Sequence, residues 1–562
     1  MKTLRWIILV LFLIFLAFGL ILFFAFKEEG LKKNTILKVT LSGEIMEYVP
    51  KSSFPLPFGR KVISLYDYVQ IIRDAAKNPK IVGLYIRLKP FSMGAGKIEE
   101  LMDAIEEFNK SGKPSFVYTE TFGEFGPATG SVWLASSAKK IYIHPDGYVN
   151  LIGIYSETPF LRGTLDKLHI YPDFDHIAEY KTAMNLFTEK KFTDAHREMM
   201  DSLTSSIFEN MVISISKNRN IKKEEIISAI EKGPLSAKEA LKLKLIDGLL
   251  YEDELEEKLK EIGGKDYNLI SESKYKIEPK IGEKIAIIFG MGGIYVGRSE
   301  GSPFGGSEGM GSETVAKYFR DARKDKDIKA VIFRVDSPGG SAIASEIIRR
   351  ELLLTKKEKP VVVSMSDVAG SGGYWVSMSA SSIISRPSTL TGSIGVVVGK
   401  FNTKGFWEDL LGITFETLKK GENADFYSSL QNFTPQQREV LKKMMTEIYD
   451  QFVQNVSKDR GIPEERVREI AKGRVWTGAQ ALELKLVDKI GGFKEAVEEA
   501  KKLAKIPEKE EVQIVIYPKP KNFLEILMQQ ERDSEIKAML KSYLIRNLPL
   551  GPLWCPYKIV LN

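Results

Sequence analysis

The chain has 562 residues, 43% of them hydrophobic and 28% charged, a globular composition on a chain too long for a single core. Its 81 basic and 74 acidic residues leave a net charge of only +7, and no basic stripe stands out, so no nucleic-acid partner is expected. The single cysteine, Cys555, excludes an intrachain disulfide framework and cysteine-rich metal sites.

An apolar segment lies at the start of the chain. Residues 6–26 contain no charged side chain, and about 20 apolar residues are enough to span a bilayer as a helix. The segment is longer than the apolar region of a signal peptide and ends without a small-residue cleavage site. We therefore expect an uncleaved transmembrane anchor that contacts the lipid bilayer. Basic residues on both sides leave its orientation undecided from charge alone.

Strand-like and helix-like patterns alternate through the rest of the chain. In the first half, strands are predicted over residues 34–45, 81–88 and 114–118, and helices over residues 65–76 and 98–108. The second half repeats this order, with strands over residues 284–289, 328–335 and 360–365, helices over 314–323 and 342–354, and a further helix starting at 375–380. The Gly- and Ser-rich residues 300–311 are predicted to be a mobile loop. The alternation predicts an α/β fold with a mainly parallel sheet.

Two glycine-rich turns in the second half each join a predicted strand to a predicted helix. Residues 369–375 read Ala-Gly-Ser-Gly-Gly-Tyr-Trp, and the glycines leave the hydroxyl of Ser371 unshielded. Residues 336–340 read Asp-Ser-Pro-Gly-Gly. At the carboxyl edge of one sheet, N–H groups of both turns can hold the oxyanion that forms when Ser371 attacks a carbonyl. Each turn alone is also typical of an ordinary strand-to-helix connection.

A nucleophilic serine needs a base, and the sequence offers two kinds. The four histidines all lie in the first half, so a Ser-His-Asp triad would have to recruit one across the halves. A lysine can serve when burial lowers its pKa. Lys181 is a candidate because a largely apolar stretch follows it, although composition alone favours a surface lysine. No histidine pair has metal-ligand spacing, so no metal site is expected.

The two halves of the chain align with each other. Asp247, for example, matches Asp488 in a register that is kept over long stretches, which indicates a tandem duplication. The first half has Thr129 at the position of Ser371 and lacks the Ser-Pro-Gly-Gly turn, so it has lost the nucleophile. The predicted organisation is an anchor at residues 1–28, a first copy at 29–280, a second copy at 281–506 and a C-terminal tail at 507–562.

Four motifs together resemble the signal peptide peptidase A family, also called protease IV, in its long duplicated form. They are residues 179–182, 337–340, 369–375 and 388–395. The resemblance implies two tandem ClpP/crotonase-like domains, built of ββα-type units with a mainly parallel sheet, behind an N-terminal transmembrane helix. The first copy would supply a general-base lysine and the second copy a nucleophilic serine.

The resemblance also assigns the site residue by residue, without a metal or another cofactor. Gly370 is a local departure, since alanine is common there in the family. The assignment makes Ser371 the nucleophile, Lys181 the general base, Gly339, Gly340 and Gly372 the oxyanion-hole residues, and Ser393 a hydrogen-bond partner of the lysine. Lys181 is then expected within about 3.2 Å of the Ser371 hydroxyl, buried between the copies, with a pKa well below the ordinary value.

The function implied is a membrane-anchored serine endopeptidase that degrades cleaved signal peptides and other apolar peptides. The resemblance further implies a homo-oligomer, expected to be a tetramer, held in the cytoplasmic membrane by one span. Its catalytic domains would face the extracytoplasmic side. Two alternatives stay open at this point: a crotonase-like acyl-CoA enzyme, which uses similar turns without a serine nucleophile, and an inactive membrane scaffold.

Overall fold

The computed structural model describes residues 31–50, 63–299 and 309–519 and the backbone of residues 553–554. The anchor predicted at residues 6–26 lies outside these ranges. Within them, no helix is both long enough and apolar enough to cross a membrane.

The first copy is built on a six-stranded sheet in the order β8-β4-β3-β2-β1-β9, in which every pairing is parallel. Its strands are β1 Thr35–Glu44, β2 Ile81–Ser92, β3 Ser115–Thr119, β4 Lys140–Ile143, β5 Tyr148–Val149, β6 Tyr171–His176, β7 Leu235–Ser236, β8 Gly248–Leu249 and β9 Asn268–Ser271. Its helices are Leu65–Lys77, Ala95–Lys110, Thr129–Ala135, Arg162–Lys167, Asn185–Thr188, Asp194–Arg219, Lys223–Lys232, Ala237–Lys242 and Leu255–Gly263, with a 3₁₀ turn at Thr182–Met184.

The second copy repeats this plan in an eight-stranded sheet, whose main path runs β19-β17-β15-β13-β10-β21. Its strands are β10 Glu283–Met291, β11 Ile294–Tyr295, β12 Met310–Gly311, β13 Ile328–Ser337, β14 Gly339–Gly340, β15 Val361–Gly370, β16 Ser382–Ser385, β17 Leu390–Gly392, β18 Val397–Asn402, β19 Val475–Thr477, β20 Lys489–Ile490 and β21 Val512–Tyr517, and β22 is Leu553–Trp554. Its helices are Ser312–Lys324, Ala342–Lys356, Gly372–Trp375, Pro435–Arg460, Glu464–Ile470, Gly478–Glu483 and Phe493–Leu503, with a π-helical turn at Phe406–Leu410. The predicted α/β fold with a mainly parallel sheet is confirmed.

Matched ion pairs make the duplication visible in the structure. In the first copy, Arg219 at the end of a 26-residue helix donates to Asp247 at 2.8 Å. In the second copy, Arg460 at the end of another 26-residue helix donates to Asp488 at 2.5 Å. Both carboxylates also accept a backbone N–H from a strand of their own copy. Each copy therefore ties its long helix to its sheet in the same way.

Two elements differ from their predictions. The helix predicted to start at residues 375–380 is instead a single turn, Gly372–Trp375, because the chain soon enters strand β16. Strand β21 lies in the segment predicted as tail, and it pairs in parallel with β10 at the edge of the second sheet. Strand β21 thus extends the second sheet, and the predicted boundary at residue 506 stays a prediction.

The two copies are joined by a shared strand pairing and a shared core. Strand β6 of the first copy runs antiparallel to β18 of the second, with His176 opposite Val397. Side chains from both sheets, such as Ile86 and Ile332, belong to one buried hydrophobic cluster. The pairing matters for function because it carries the chain of the first copy directly to the glycine-rich edge of the second.

A buried ion pair also crosses between the copies. Arg334 on β13 donates to Glu47 at 2.7 Å and lies 3.5 Å from Glu100, and all three side chains are at most 2% exposed. Burial raises the pKa of Glu47, and Arg334 opposes that rise. The arginine therefore places a buried cation beside two first-copy carboxylates.

Arg334→Met should lower the free energy of unfolding by about 3–5 kcal/mol, because it removes the buried cation that is hydrogen-bonded to Glu47. The loss should be larger at pH 8 than at pH 6, since a carboxyl whose folded-state pKa is raised costs stability as pH rises. Urea unfolding at both pH values measures this. The matched control is Arg466→Met, which removes an exposed pair with Glu469 and should cost under about 1 kcal/mol. Equal losses in the two variants would contradict the prediction.

Candidate active site

Ser371 lies between the end of β15 and the one-turn helix that follows. Its backbone has φ +54° and ψ −114°, a region that residues other than glycine rarely adopt. Its N–H donates to the carbonyl of Gly392 at 2.8 Å, which holds this conformation. The side chain is fully buried. Strained backbone that is held by its surroundings in this way is typical of functional sites.

Lys181 reaches the same place from the first copy. After β6 the chain continues alongside the second copy, where the N–H of Ile177 donates to Val396 at 2.9 Å and that of Tyr180 to Lys472 at 3.0 Å. Lys181 follows directly and is only 1% exposed. The strand pairing between the copies therefore explains how a lysine 190 positions before the serine enters its pocket.

The amine of Lys181 lies at the centre of a small polar cluster. Its Nζ is 2.8 Å from Ser371 Oγ and 3.0 Å from both the carbonyl oxygen and Oγ of Ser393. Ser393 is buried and has φ +52°, which lets one residue present both of its oxygens to the same nitrogen. The structure thus brings together the three polar side chains that the sequence had proposed for the site.

Two glycines of the second copy make room for the lysine. A Cβ at Gly473, where φ is +77°, would lie 2.5 Å from both the Cβ and the backbone nitrogen of Lys181. A Cβ at Gly395 would lie 3.2 Å from the Lys181 Cδ. Gly473 was not predicted from the sequence, because a lone glycine there also fits a simple helix end after Glu464–Ile470.

Gly473→Ala should lower kcat for peptide hydrolysis by about 10²-fold, because the added methyl group displaces the lysine by a fraction of an ångström or more. The variant should stay folded, with a thermal stability close to that of Gly412→Ala. Gly412 has a similar φ of +67° but nothing within 4 Å of its Cβ position. Gly412→Ala therefore measures the loss of stability from placing alanine in a left-handed backbone conformation, without a steric clash. Wild-type kcat in Gly473→Ala would show that the close approach is unimportant.

The predicted oxyanion glycines do not share one role. Gly372 begins the helix after Ser371, so its N–H has no partner within that helix. The Gly340 nitrogen lies 3.0 Å from the Cβ position of Gly372, which puts the two turns side by side. The N–H of Gly339, however, donates to Ser337 Oγ at 3.1 Å. Gly339 thus has φ +103° and an amide engaged within the turn, and its role as an oxyanion donor stays a prediction.

The histidine alternative finds no support in the described residues, which include all four histidines. The side-chain hydrogen-bond partner of Ser371 Oγ is Lys181 Nζ. His196 packs its ring against Phe192 and Phe160, and burial lowers its pKa to about 4. In the same part of the chain, no group of three or more His, Cys, Asp or Glu side chains is placed to hold a metal ion.

Comparisons with known proteins point to one family. The sequence profile of peptidase family S49 matches residues 107–265 and 354–507, one match in each copy. The chloroplastic serine protease SPPA of Arabidopsis thaliana is 32% identical over 513 residues, which cover 89% of this chain and 74% of the relative. Protease 4 of Salmonella typhi is 33% identical over 504 residues, covering 86% and 79%.

Solved structures also align with parts of the chain. ClpP1 from Listeria monocytogenes covers 37% of this chain and 92% of its own length, at 12% identity and a TM-score of 0.24. At that score the alignment adds nothing to the sheet topology described above.

Proposed function

The chain belongs to peptidase family S49 and is a serine peptidase, and we propose that Ser371 and Lys181 form its catalytic dyad. The observation that carries the proposal is the 2.8 Å separation of Lys181 Nζ and Ser371 Oγ inside a buried pocket. Hydrogen-bond distance between a nucleophile and a base, with the base oriented by a third group, is the geometry that covalent hydrolysis requires. Ser393 is the orienting group here.

The mechanism requires a neutral lysine, and the contacts of the amine accommodate one. Two N–H groups can donate to the carbonyl and hydroxyl oxygens of Ser393, and the lone pair then faces the Ser371 hydroxyl. As Ser371 Oγ bonds to the scissile carbonyl carbon, Lys181 takes the hydroxyl proton and passes it to the leaving amine as the peptide bond breaks. Water then attacks the acyl-enzyme, with Lys181 again as base, and releases the second product.

The developing oxyanion would be held by the amides of Gly340 and Gly372. Both belong to turns at the carboxyl edge of the second sheet, and both are rigidly placed by buried neighbours. Two backbone donors aimed at the oxyanion are the usual arrangement in acyl transfer, and removing one such donor costs about 10²–10³ in rate.

The neighbouring edge suits an extended peptide. The backbone of Leu553–Trp554 runs antiparallel to Gly339–Gly340, with Gly340 opposite Leu553. An edge that pairs with a segment of its own chain can pair with a substrate backbone in the same way. We propose that the substrates are cleaved signal peptides and other apolar peptides, and that the protein is an endopeptidase.

Membrane attachment and assembly belong to the same proposal. The apolar residues 6–26 would anchor the chain in the cytoplasmic membrane by a single span, with both copies on the extracytoplasmic side. A homo-oligomer, a tetramer in its simplest form, would enclose the sites and limit access to short or unfolded chains.

The full chain in detergent micelles, treated with a fluorophosphonate probe, tests the dyad. We expect one adduct, on Ser371, found by mass spectrometry of the digested protein. The same preparation should cleave a synthetic signal peptide faster than a polar peptide of equal length. Labelling at another residue, or acyl-CoA turnover without peptide cleavage, would overturn the proposal.

A further inference from the structure

A helix of the first copy contacts the second copy directly behind the active site. This helix, Ala95–Lys110, is named the brace helix here. We propose that its Lys97 is a positioning residue, which holds the nucleophile turn and the oxyanion turn in fixed relation by binding Asp336 and Asp367. The inference rests on the proposed function, because it concerns the same dyad.

Lys97 bridges the ends of two neighbouring strands. Its Nζ lies 2.7 Å from Asp336 Oδ2 and 3.1 Å from Asp367 Oδ2. Asp336 is near the end of β13, three residues before Gly339, and Asp367 is in β15, four residues before Ser371. One ammonium group therefore links the strand that carries the oxyanion turn to the strand that carries the nucleophile.

Backbone donors complete the junction. Asp336 Oδ1 accepts the N–H of Val368, which ties the first strand to the second at 3.1 Å. Asp367 accepts the N–H groups of Lys97 at 2.9 Å and of Gly94 at 3.2 Å, both at the start of the brace helix. A carboxylate at a helix N-terminus is also favoured by the helix dipole. The two carboxylates are thus bound on several sides, and Lys97 is the cation common to both.

The junction leaves no space for rearrangement. A Cβ at Gly94 would lie 2.3 Å from the Asp367 carboxylate, and a Cβ at Gly96 would lie 2.8 Å from the carbonyl oxygen of Ser366. The side chains of Lys97 and Asp367 are 7% and 5% exposed. Close contacts that exclude solvent pass small displacements from one element to the next. The ends of β13 and β15 therefore cannot shift independently while Lys97 is present.

The carboxylates around Lys97 favour its charged form. Burial acts to lower the pKa of Lys97, but the carboxylates of Asp336, Asp367 and Glu47 together raise it above the ordinary value. Burial likewise acts to raise the pKa of Asp336, yet Lys97 keeps that pKa below its ordinary value. Held between two carboxylates, Lys97 is placed to act as a cation that positions the two strand ends.

The brace helix contacts a third functional segment. Glu99 accepts the N–H of Ser388 at 3.1 Å and its hydroxyl at 2.6 Å, on the chain that leads through β17 to Ser393. The three chain segments that lead to the oxyanion turn, the nucleophile and the lysine-orienting serine therefore meet one helix. The first copy, which lacks a nucleophile, supplies this support in addition to Lys181.

The test compares Lys97→Met with Lys110→Met, a change at the exposed last residue of the same helix. Active sites are titrated with the fluorophosphonate probe, so that kcat is expressed for each competent site. We expect Lys97→Met to lower kcat per titrated site by about 10²-fold with KM changed less than about threefold, and Lys110→Met to leave both unchanged. A purely structural role would reduce the number of titrated sites and leave kcat per site unchanged.

Charge rescue provides a second readout. In Lys97→Met two carboxylates face each other without a cation, and adding Asp336→Asn removes that repulsion while keeping the acceptor for Val368. The double variant should recover about tenfold of the lost kcat. If Lys97→Met does not fold, Asp336→Asn alone should lower kcat per site by about tenfold.

Two negative results are distinguishable. Wild-type protein labelled at a residue other than Ser371 overturns the proposed dyad and the inference with it. Wild-type protein labelled on Ser371, together with wild-type kcat per site in Lys97→Met, overturns the positioning role alone. If Lys97→Met does not fold, wild-type kcat per site in Asp336→Asn overturns the positioning role instead.

Discussion

Ser371→Ala should lower kcat/KM for peptide hydrolysis by at least about 10⁴-fold, because removal of the nucleophile leaves only binding and oxyanion stabilisation. The fold should survive. Alanine tolerates the φ of +54° as well as serine does, and Lys181 keeps both oxygens of Ser393 as partners. Hydrolysis of a fluorogenic apolar peptide, with sedimentation to verify assembly, measures both statements.

The control for this variant is Ser429→Ala, which removes an exposed hydroxyl in the same copy. It should leave kcat/KM and the oligomeric state unchanged. Turnover in assembled Ser371→Ala within tenfold of wild type would show that another residue is the nucleophile.

Lys181→Met should lower kcat by about 10³-fold or more, since the variant keeps the length of the side chain and loses the basic nitrogen. Lys181→Arg should be nearly as inactive, because a guanidinium stays protonated and cannot accept the serine proton. The crowding by Gly473 and Gly395 adds a steric cost for the larger group.

A pH–rate profile distinguishes base loss from misplacement. Only the neutral amine accepts a proton, so wild-type kcat/KM should rise with pH and then level off, whereas residual activity in the two Lys181 variants should lack that rise. The matched control is Lys191→Met, an exposed lysine ten residues later, which should reproduce the wild-type profile. An active Lys181→Arg enzyme with the wild-type profile would exclude Lys181 as the base.

The nucleophile turn was predictable from the sequence because its chemistry is local. The glycines around Ser371, the buried strand before it and the helical turn after it all lie within residues 361–375. The length of that helix was not predictable, since the residues after Trp375 are as apolar as a helix would be. The helix ends because the chain soon enters strand β16, and no residue after Trp375 indicates that change.

Lys181 shows the limit of reasoning from pattern alone. Its neighbours in sequence give a weak signal, and composition favours a surface position. What buries it is a strand pairing between residues more than 200 positions apart and a glycine, Gly473, on a third segment. Family resemblance supplied the assignment that periodicity could not. The same limit explains Lys97, whose two carboxylate partners lie in the other copy.

Gly339 illustrates a different limit. A Pro-Gly-Gly turn predicts that amides point outward, but it does not indicate which amide forms a hydrogen bond within the turn. The Ser337 hydroxyl oxygen accepts a hydrogen bond from the Gly339 amide, and only atomic positions show this.

The antiparallel pairing of β6 with β18 has a consequence for synthesis. With the dyad as proposed, the ribosome makes the base well before the nucleophile. A nascent chain that ends before residue 371 contains Lys181 but no Ser371. Activity begins only once the later half has folded onto the earlier one. A nascent chain that ends before residue 371 is therefore expected to lack peptidase activity.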